Sequence, residues 1–194
     1  FNECFAIEYL GAKIFYNMKV GKDITLTELQ EKYDAVFIGV GLWKSRALPI
    51  PGADQPDIIR GIDYLRVRCV GEPWKIKEHM IVVGGGNVSF DVARTSVRNG
   101  AKTVTMVCLE SRDEQTADEF EIEDGLEEGI VIMNRIAPVS VERDMEGNIT
   151  GLRVQRISSL FDYTGRFAPK VIPDSEFVIP CNTIALAIGQ EMDM

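Results

Sequence analysis

The run Gly84-Gly85-Gly86-Asn87-Val88-Ser89 has the residue types of a loop that cradles phosphates. Glycines let a ligand approach the main chain closely, and a helix starting at once behind them points unpaired N–H groups and a positive dipole end at an anion. The context on both sides fits. An apolar strand, Met80 to Val83, precedes the loop, and a helix from Asn87 to about Asn99 follows, with Val88, Val92, Ala93 and Val97 along one stripe and Gly100 as its stop. Gly84 permits the tight turn, Gly86 admits a pyrophosphate, and Ser89, in the place of a third glycine, is small enough for the helix to pack near the strand. The amides of Asn87, Val88 and Ser89 are expected to face the phosphates of a dinucleotide.

Such a site needs a carboxylate roughly 20 positions further on, where it holds the ribose hydroxyls. Glu110 stands there, directly after the apolar run Val104 to Leu109. A carboxylate accepts hydrogen bonds from two hydroxyls but repels a 2′-phosphate, which favours NAD over NADP. Ser111 and Arg112 belong to the same contact loop, and the Arg112 guanidinium, able to pair with a phosphate, leaves NADP as the alternative. Asp91, one turn into the helix, lies near the dinucleotide's path, and it is also spaced to pair with Arg94 on its own helix.

No catalytic side-chain constellation is visible. His79, the one histidine, precedes a strand and reads as a surface residue. The four cysteines, Cys4, Cys69, Cys108 and Cys181, are far apart and form no C-x-x-C pair, so they read as structural, with Cys108 a small core residue. The acidic run from Asp118 to Glu128 reads as a solvated helix face.

The elements that must position the loop form a β-α-β-α-β unit. Strands are expected at Met80 to Val83, Thr103 to Leu109 and Ile130 to Met133, with a helix from Thr116 to about Glu128. From Pro138 the pattern changes to alternation. Val139 to Arg143 and Ile149 to Ile157 flank Glu146-Gly147-Asn148 as a hairpin, and a further strand lies near Ser175 to Ile179. This predicts a small antiparallel meander inserted before the sheet resumes with Thr183 to Ile188, closed by Gly189. Earlier in the chain, a helix ends at Gly11, Lys13 to Tyr16 reads as a short strand, and Thr25 with Glu28 has capping-box spacing for a helix to about Lys32. Asp34 to Val40, with the continuous apolar run Ala35 to Ile38, is expected to be a parallel strand buried on both faces, ending in Gly39-Val40-Gly41. A proline-punctuated connector and a helix over Gly61 to Val70 follow.

The chain has 194 residues, 45% hydrophobic and 26% charged, with a net charge of −9. That surface disfavours nucleic acid and anionic membranes as partners. The opening Phe1-Asn2-Glu3, without an initiator methionine or signal peptide, reads as part of a longer, cytoplasmic protein. Beside a redox enzyme, three readings stay open: a nucleotide-binding module without redox activity, a methyltransferase using S-adenosylmethionine, and a structural part of a larger complex.

Together these segments resemble the small (beta) subunit of glutamate synthase and its relatives, including the electron-input region of dihydropyrimidine dehydrogenase. The resemblance rests on Val20 to Ile24, Tyr33 to Gly41, Ile50-Pro51-Gly52, Gly84 to Arg94, Glu127-Glu128-Gly129 and Asn182 to Gln190. It implies an α/β fold: a Rossmann-like parallel sheet with an inserted antiparallel β-meander, plus a partial FAD-domain segment. Residues 1 to 54 would be the trailing part of the FAD domain and its connector. Residues 55 to 188 would be the NAD(P) domain, with its meander at about 138 to 180, and 189 to 194 the return toward the FAD domain. Ala187, Ile188, Gly189 and Gln190 would lie near both cofactors, with Gly39 and Gly41 on the FAD side. The implied chemistry is hydride transfer from nicotinamide to FAD. Electrons would continue to an iron–sulfur cluster outside this segment, and the implied partners are the remainder of its own FAD domain and a larger catalytic or iron–sulfur subunit. The family's FAD phosphate loop and cysteine-rich region have no counterpart here. Where the family usually carries an Arg-Arg pair after the second strand, this chain has Leu109-Glu110.

Overall fold

In a computed structural model, which describes residues 2–71 and 76–192, the chain divides into two compact units, Phe1–Val40 and Gly41–Met194. Asp193 and Met194, the end of the expected return segment, lie outside the described residues.

The first unit holds helices α1 (Asn2–Tyr9) and α2 (Leu26–Lys32). α2 begins as its sequence demands: the Thr25 hydroxyl accepts from the Glu28 amide at 3.1 Å, and Glu28 accepts from the Thr25 amide at 2.8 Å. The two strands expected in this unit do not form. Residues 13–16 and 34–40 are irregular, and Phe37 is 95% exposed. An apolar run supplies the faces of a strand but not its ladder. Among the described residues of this unit no strand ladder includes this run.

The second unit contains β1 (Lys44–Ser45), β2 (Ile59–Arg60), α3 (Gly61–Cys69), β3 (His79–Val83), α4 (Asn87–Arg98), β4 (Thr103–Val107), α5 (Glu119–Glu127) and β5 (Val131–Met133). It continues with β6 (Ile136–Arg143), β7 (Ile149–Phe161), β8 (Phe167–Val171), β9 (Phe177–Pro180), β10 (Thr183–Leu186) and β11 (Gln190–Glu191). A five-stranded, all-parallel sheet runs β2-β10-β3-β4-β5. β6, β7, β8 and β9 form an antiparallel meander, with β7 hydrogen-bonded to all three others. β8 carries Pro169, whose missing N–H masks the strand in the sequence and confines it to a sheet edge.

The central strands are buried on both faces, which is why they read as unbroken apolar runs. Met80 and Val82 of β3 join Phe90, Val92 and Ala93 of α4, Tyr64 of α3 and Ile122 of α5 in one core. Ile81 and Val83, with Ile184 and Leu186 of β10, pack against Ile136, Leu152 and Val154 of the meander in a second core. The parallel sheet is thus the middle of three layers, helices on one face and meander on the other. The connector at residues 48–51 belongs with this unit: Leu48 and Ile50 join the second core, and the Val141 amide donates to the Pro51 carbonyl at 3.0 Å.

α5 starts later than its sequence suggests, at Glu119, because Arg112–Glu114 forms a separate 3-10 turn boxed by Ser111 and Glu114. Its acidic face is engaged by cations as well as water. Arg94 of α4, 17% exposed, donates to Glu121 at 2.7 Å, Asp124 at 2.7 Å and Glu128 at 2.9 Å. The Arg94–Asp91 pair expected from spacing is therefore replaced by a clasp between helices. Arg94→Met is expected to lower stability by about 2 kcal/mol, since three half-buried carboxylates lose a shared donor. Urea denaturation checks this, and no shift in midpoint would show the clasp to be idle. Among the described residues no helix is long and apolar enough to cross a membrane.

Candidate functional site

β3 leads through α4 to β4 on one side, while β10 returns to its other side. The sheet therefore has a switch point at the carboxyl ends of β3 and β10, where an open α/β sheet leaves a crevice. Gly84 to Ser89 border it on one side and Ala187 on the other. They meet closely: the Ala187 amide donates to the Val83 carbonyl at 2.8 Å, and the Ser89 hydroxyl donates to the Ala187 carbonyl at 3.1 Å.

Gly84 has a φ of +139°, and a Cβ built on it would lie 2.3 Å from the Ala187 oxygen and 2.4 Å from the Ser89 hydroxyl. Only glycine fits there. Ser89 is fully buried, and its own amide donates to the Gly86 carbonyl at 2.9 Å. This corrects one expectation: Ser89 packs α4 onto β10, and its amide is taken by the helix's first turn. No side chain caps α4, and no acceptor within the chain is found for the Asn87 and Val88 amides among the described residues. The Asn87 side chain is anchored, its amide group donating to the Asp118 carboxylate at 2.9 Å and its oxygen accepting from the Asp118 amide at 2.8 Å.

Glu110 comes to the same place from the end of β4. Its Oε2 lies 2.9 Å from where a Cβ on Gly85 would stand, so the bare Gly85 leaves room for the carboxylate to lean over the loop. Beside it, Cys108 is buried, and burial, reinforced by the Glu110 charge, pushes its thiol up to about 12. The thiol stays protonated and fills the core, as the sequence implies. Cys181 is likewise pushed up to about 12 by burial.

The other candidates fall as follows. The Ser111 amide donates to Glu114 at 3.0 Å, which turns the chain after Glu110. Arg112 is ion-paired with Glu119. Asp91 is exposed on α4, and partial desolvation, with the Glu121 carboxylate adding to it, pushes its pKa up. Ile188 belongs to the second core. The Gly189 carbonyl accepts from the Arg46 amide at 3.1 Å, and Gln190 pairs with Ser45 between β1 and β11. Gly41, with φ of +69°, opens the second unit just before β1. Gly39 belongs to the first unit. His79 is exposed, its Nδ1 2.9 Å from the Thr103 hydroxyl.

Sequence reasoning passed over Asn134 and Arg135, which reach the Glu110 loop from the end of β5. The Asn134 side chain and the Arg135 amide both donate to the Glu110 carbonyl, at 3.0 and 3.2 Å. An asparagine after a strand signals a turn and nothing more, so no local pattern flagged them. The residues present fit a dinucleotide: uncapped amides for a diphosphate, a cradle that a Cβ would fill, and a carboxylate leaning over the loop where a ribose would lie.

A glycine loop at the switch point of a three-layer parallel sheet defines the dinucleotide-binding class of α/β domain. The chain belongs to the pyridine nucleotide-disulphide oxidoreductase family, whose pattern matches residues 2–193. It is 36% identical over 192 residues to the NADPH-Fe(3+) oxidoreductase subunit beta of Geobacter sulfurreducens, covering 97% of this chain and 29% of that protein. It is 31% identical to the glutamate synthase [NADPH] small chain of Halomonas elongata, covering 94% of this chain and 40% of that one. The chain thus spans less than half the length of either relative. Among solved structures, Mycobacterium tuberculosis FprA in complex with NADPH matches with a TM-score of 0.73 at 18% identity, over 90% of this chain and 54% of that one.

Proposed function

We propose that this chain is the nicotinamide-dinucleotide-binding portion of an FAD-dependent, electron-transferring oxidoreductase. The observation that carries the reading is the convergence of the uncapped Asn87 and Val88 amides with the Glu110 carboxylate over Gly85. The amides and the α4 dipole hold the diphosphate. Glu110 accepts from the adenosine ribose hydroxyls, and with Arg112 already engaged by Glu119 this favours NAD over NADP. Ser111 turns the chain behind that carboxylate, and Asp91 lies one turn along α4 from the diphosphate. Ala187 to Gln190 form the opposite wall.

When bound, the cofactor supplies a hydride for a flavin. The chain's share is orientation: rigid strand ends fix the two walls, and no side-chain acid or base is required. Residues 1 to 54, with Gly39 and Gly41, then comprise the trailing part of the FAD domain and its connector, 55 to 188 the NAD(P) domain, and Ala187 to Gln190 lie near both cofactors. The relatives' names, subunit beta and small chain, support a partner subunit; a larger catalytic or iron–sulfur subunit and a cytoplasmic location complete the reading.

Calorimetric titration with NADH and NADPH tests the reading. NADH is expected to bind the more tightly. Failure of folded protein to bind either at millimolar concentration overturns it.

A further inference from the structure

Among the described residues, three non-glycine residues have positive φ: Asn17, Arg135 and Asp174. Asparagine and aspartate adopt that conformation readily, but arginine does not. Arg135, at φ +59°, also has a buried Nη1 without a hydrogen-bond partner. Two unfavourable features on one residue persist only where the surroundings fix them, and such strain gathers at functional sites.

What Arg135 touches is the loop that carries Glu110. Its amide donates to the Glu110 carbonyl at 3.2 Å, and its Nη2 donates to Glu114 at 2.9 Å. The other oxygen of Glu114 accepts the Ser111 amide at 3.0 Å. Asn134 adds a second donor to the Glu110 carbonyl. The residue expected to read the ribose is therefore gripped at its own carbonyl and, through Glu114, at the next residue's amide. These hydrogen bonds stay within the protein, and the Arg135 Nη1 is buried.

Resting on the proposed dinucleotide site, we infer that Arg135, acting through Glu114 and the Glu110 carbonyl, is a positioning residue that sets discrimination between 2′-hydroxyl and 2′-phosphate dinucleotides. A carboxylate held in one place accepts two ribose hydroxyls and excludes a phosphate. Released, it does both less well. The relevant ligand half is the adenosine ribose, not the nicotinamide.

The test uses the full-length protein and calorimetric titration with ADP-ribose and 2′-phospho-ADP-ribose, which need no turnover. Arg135→Met and Glu114→Gln break the same ion pair while changing net charge in opposite directions. Glu114→Gln retains an oxygen for the Ser111 amide, so the 3-10 turn survives if Arg135→Met fails to fold. Each variant is expected to weaken ADP-ribose about threefold to tenfold, the effect of one hydrogen-bonded brace. Binding of the 2′-phosphate form should weaken less or improve, so the preference ratio falls in both. The inference is overturned if the ratio stays within about twofold of wild type in Glu114→Gln. It is equally overturned if the two variants shift 2′-phosphate binding oppositely with ADP-ribose unchanged, which would be net charge acting at a distance. Wild-type protein that binds neither ligand would instead remove the dinucleotide reading itself.

Discussion

Glu110→Arg is expected to reverse the cofactor preference. NADH affinity should fall by about a hundredfold or more, because two hydrogen bonds to a charged carboxylate are each worth about 1.5–3 kcal/mol net of competition with water. NADPH affinity should rise about tenfold, since the new guanidinium can fork onto a 2′-phosphate. The direction follows from position: the Glu110 carboxylate lies against the glycine loop, 2.9 Å from where a Cβ on Gly85 would stand. Calorimetric dissociation constants for both nucleotides provide the measurement. An unchanged ratio would mean that this side chain does not reach the ribose.

Gly84→Ala should be the most damaging small substitution in the crevice. The new methyl would meet the Ala187 oxygen at 2.3 Å and the Ser89 hydroxyl at 2.4 Å, on a residue whose φ of +139° already excludes most side chains. Overpacking and backbone strain together are expected to lower stability by about 3–5 kcal/mol. Separation of α4 from β10 should abolish nucleotide binding as well. Chemical denaturation reads the first effect and titration the second. A loss under about 1 kcal/mol would show that the turn can open without penalty.

The sheet and its loop were legible because burial on both faces writes itself into Met80 to Val83 and Ile184 to Leu186 as unbroken apolar runs, and because glycine spacing fixes the turn between strand and helix. Glu110 was legible for a related reason, since the strand before it sets where its side chain emerges. The failures have physical causes. Asp34 to Val40 has the composition of a strand without a ladder partner in its unit, and composition carries no information about partners. The Ser89 amide was misassigned because first-turn amides look alike in sequence, while only geometry shows that Gly86 takes one of them. Arg94 was matched to Asp91 by helical spacing, yet a neighbouring helix offered three carboxylates. Asn134 and Arg135 act through main-chain groups across strands, which no motif records.

The two walls of the crevice meet through Ser89 and Ala187, residues 98 positions apart in the chain. The meander is threaded between them, so β10 must insert beside β3 after β6 to β9 have been made. During synthesis on the ribosome, the glycine loop therefore emerges long before its opposite wall exists. Closure over so long a separation is slow relative to local helix and hairpin formation. Until then one edge of β3 stays open to wrong neighbours. A closed Ser89–Ala187 contact thus certifies that the last parallel strand has arrived in its proper slot.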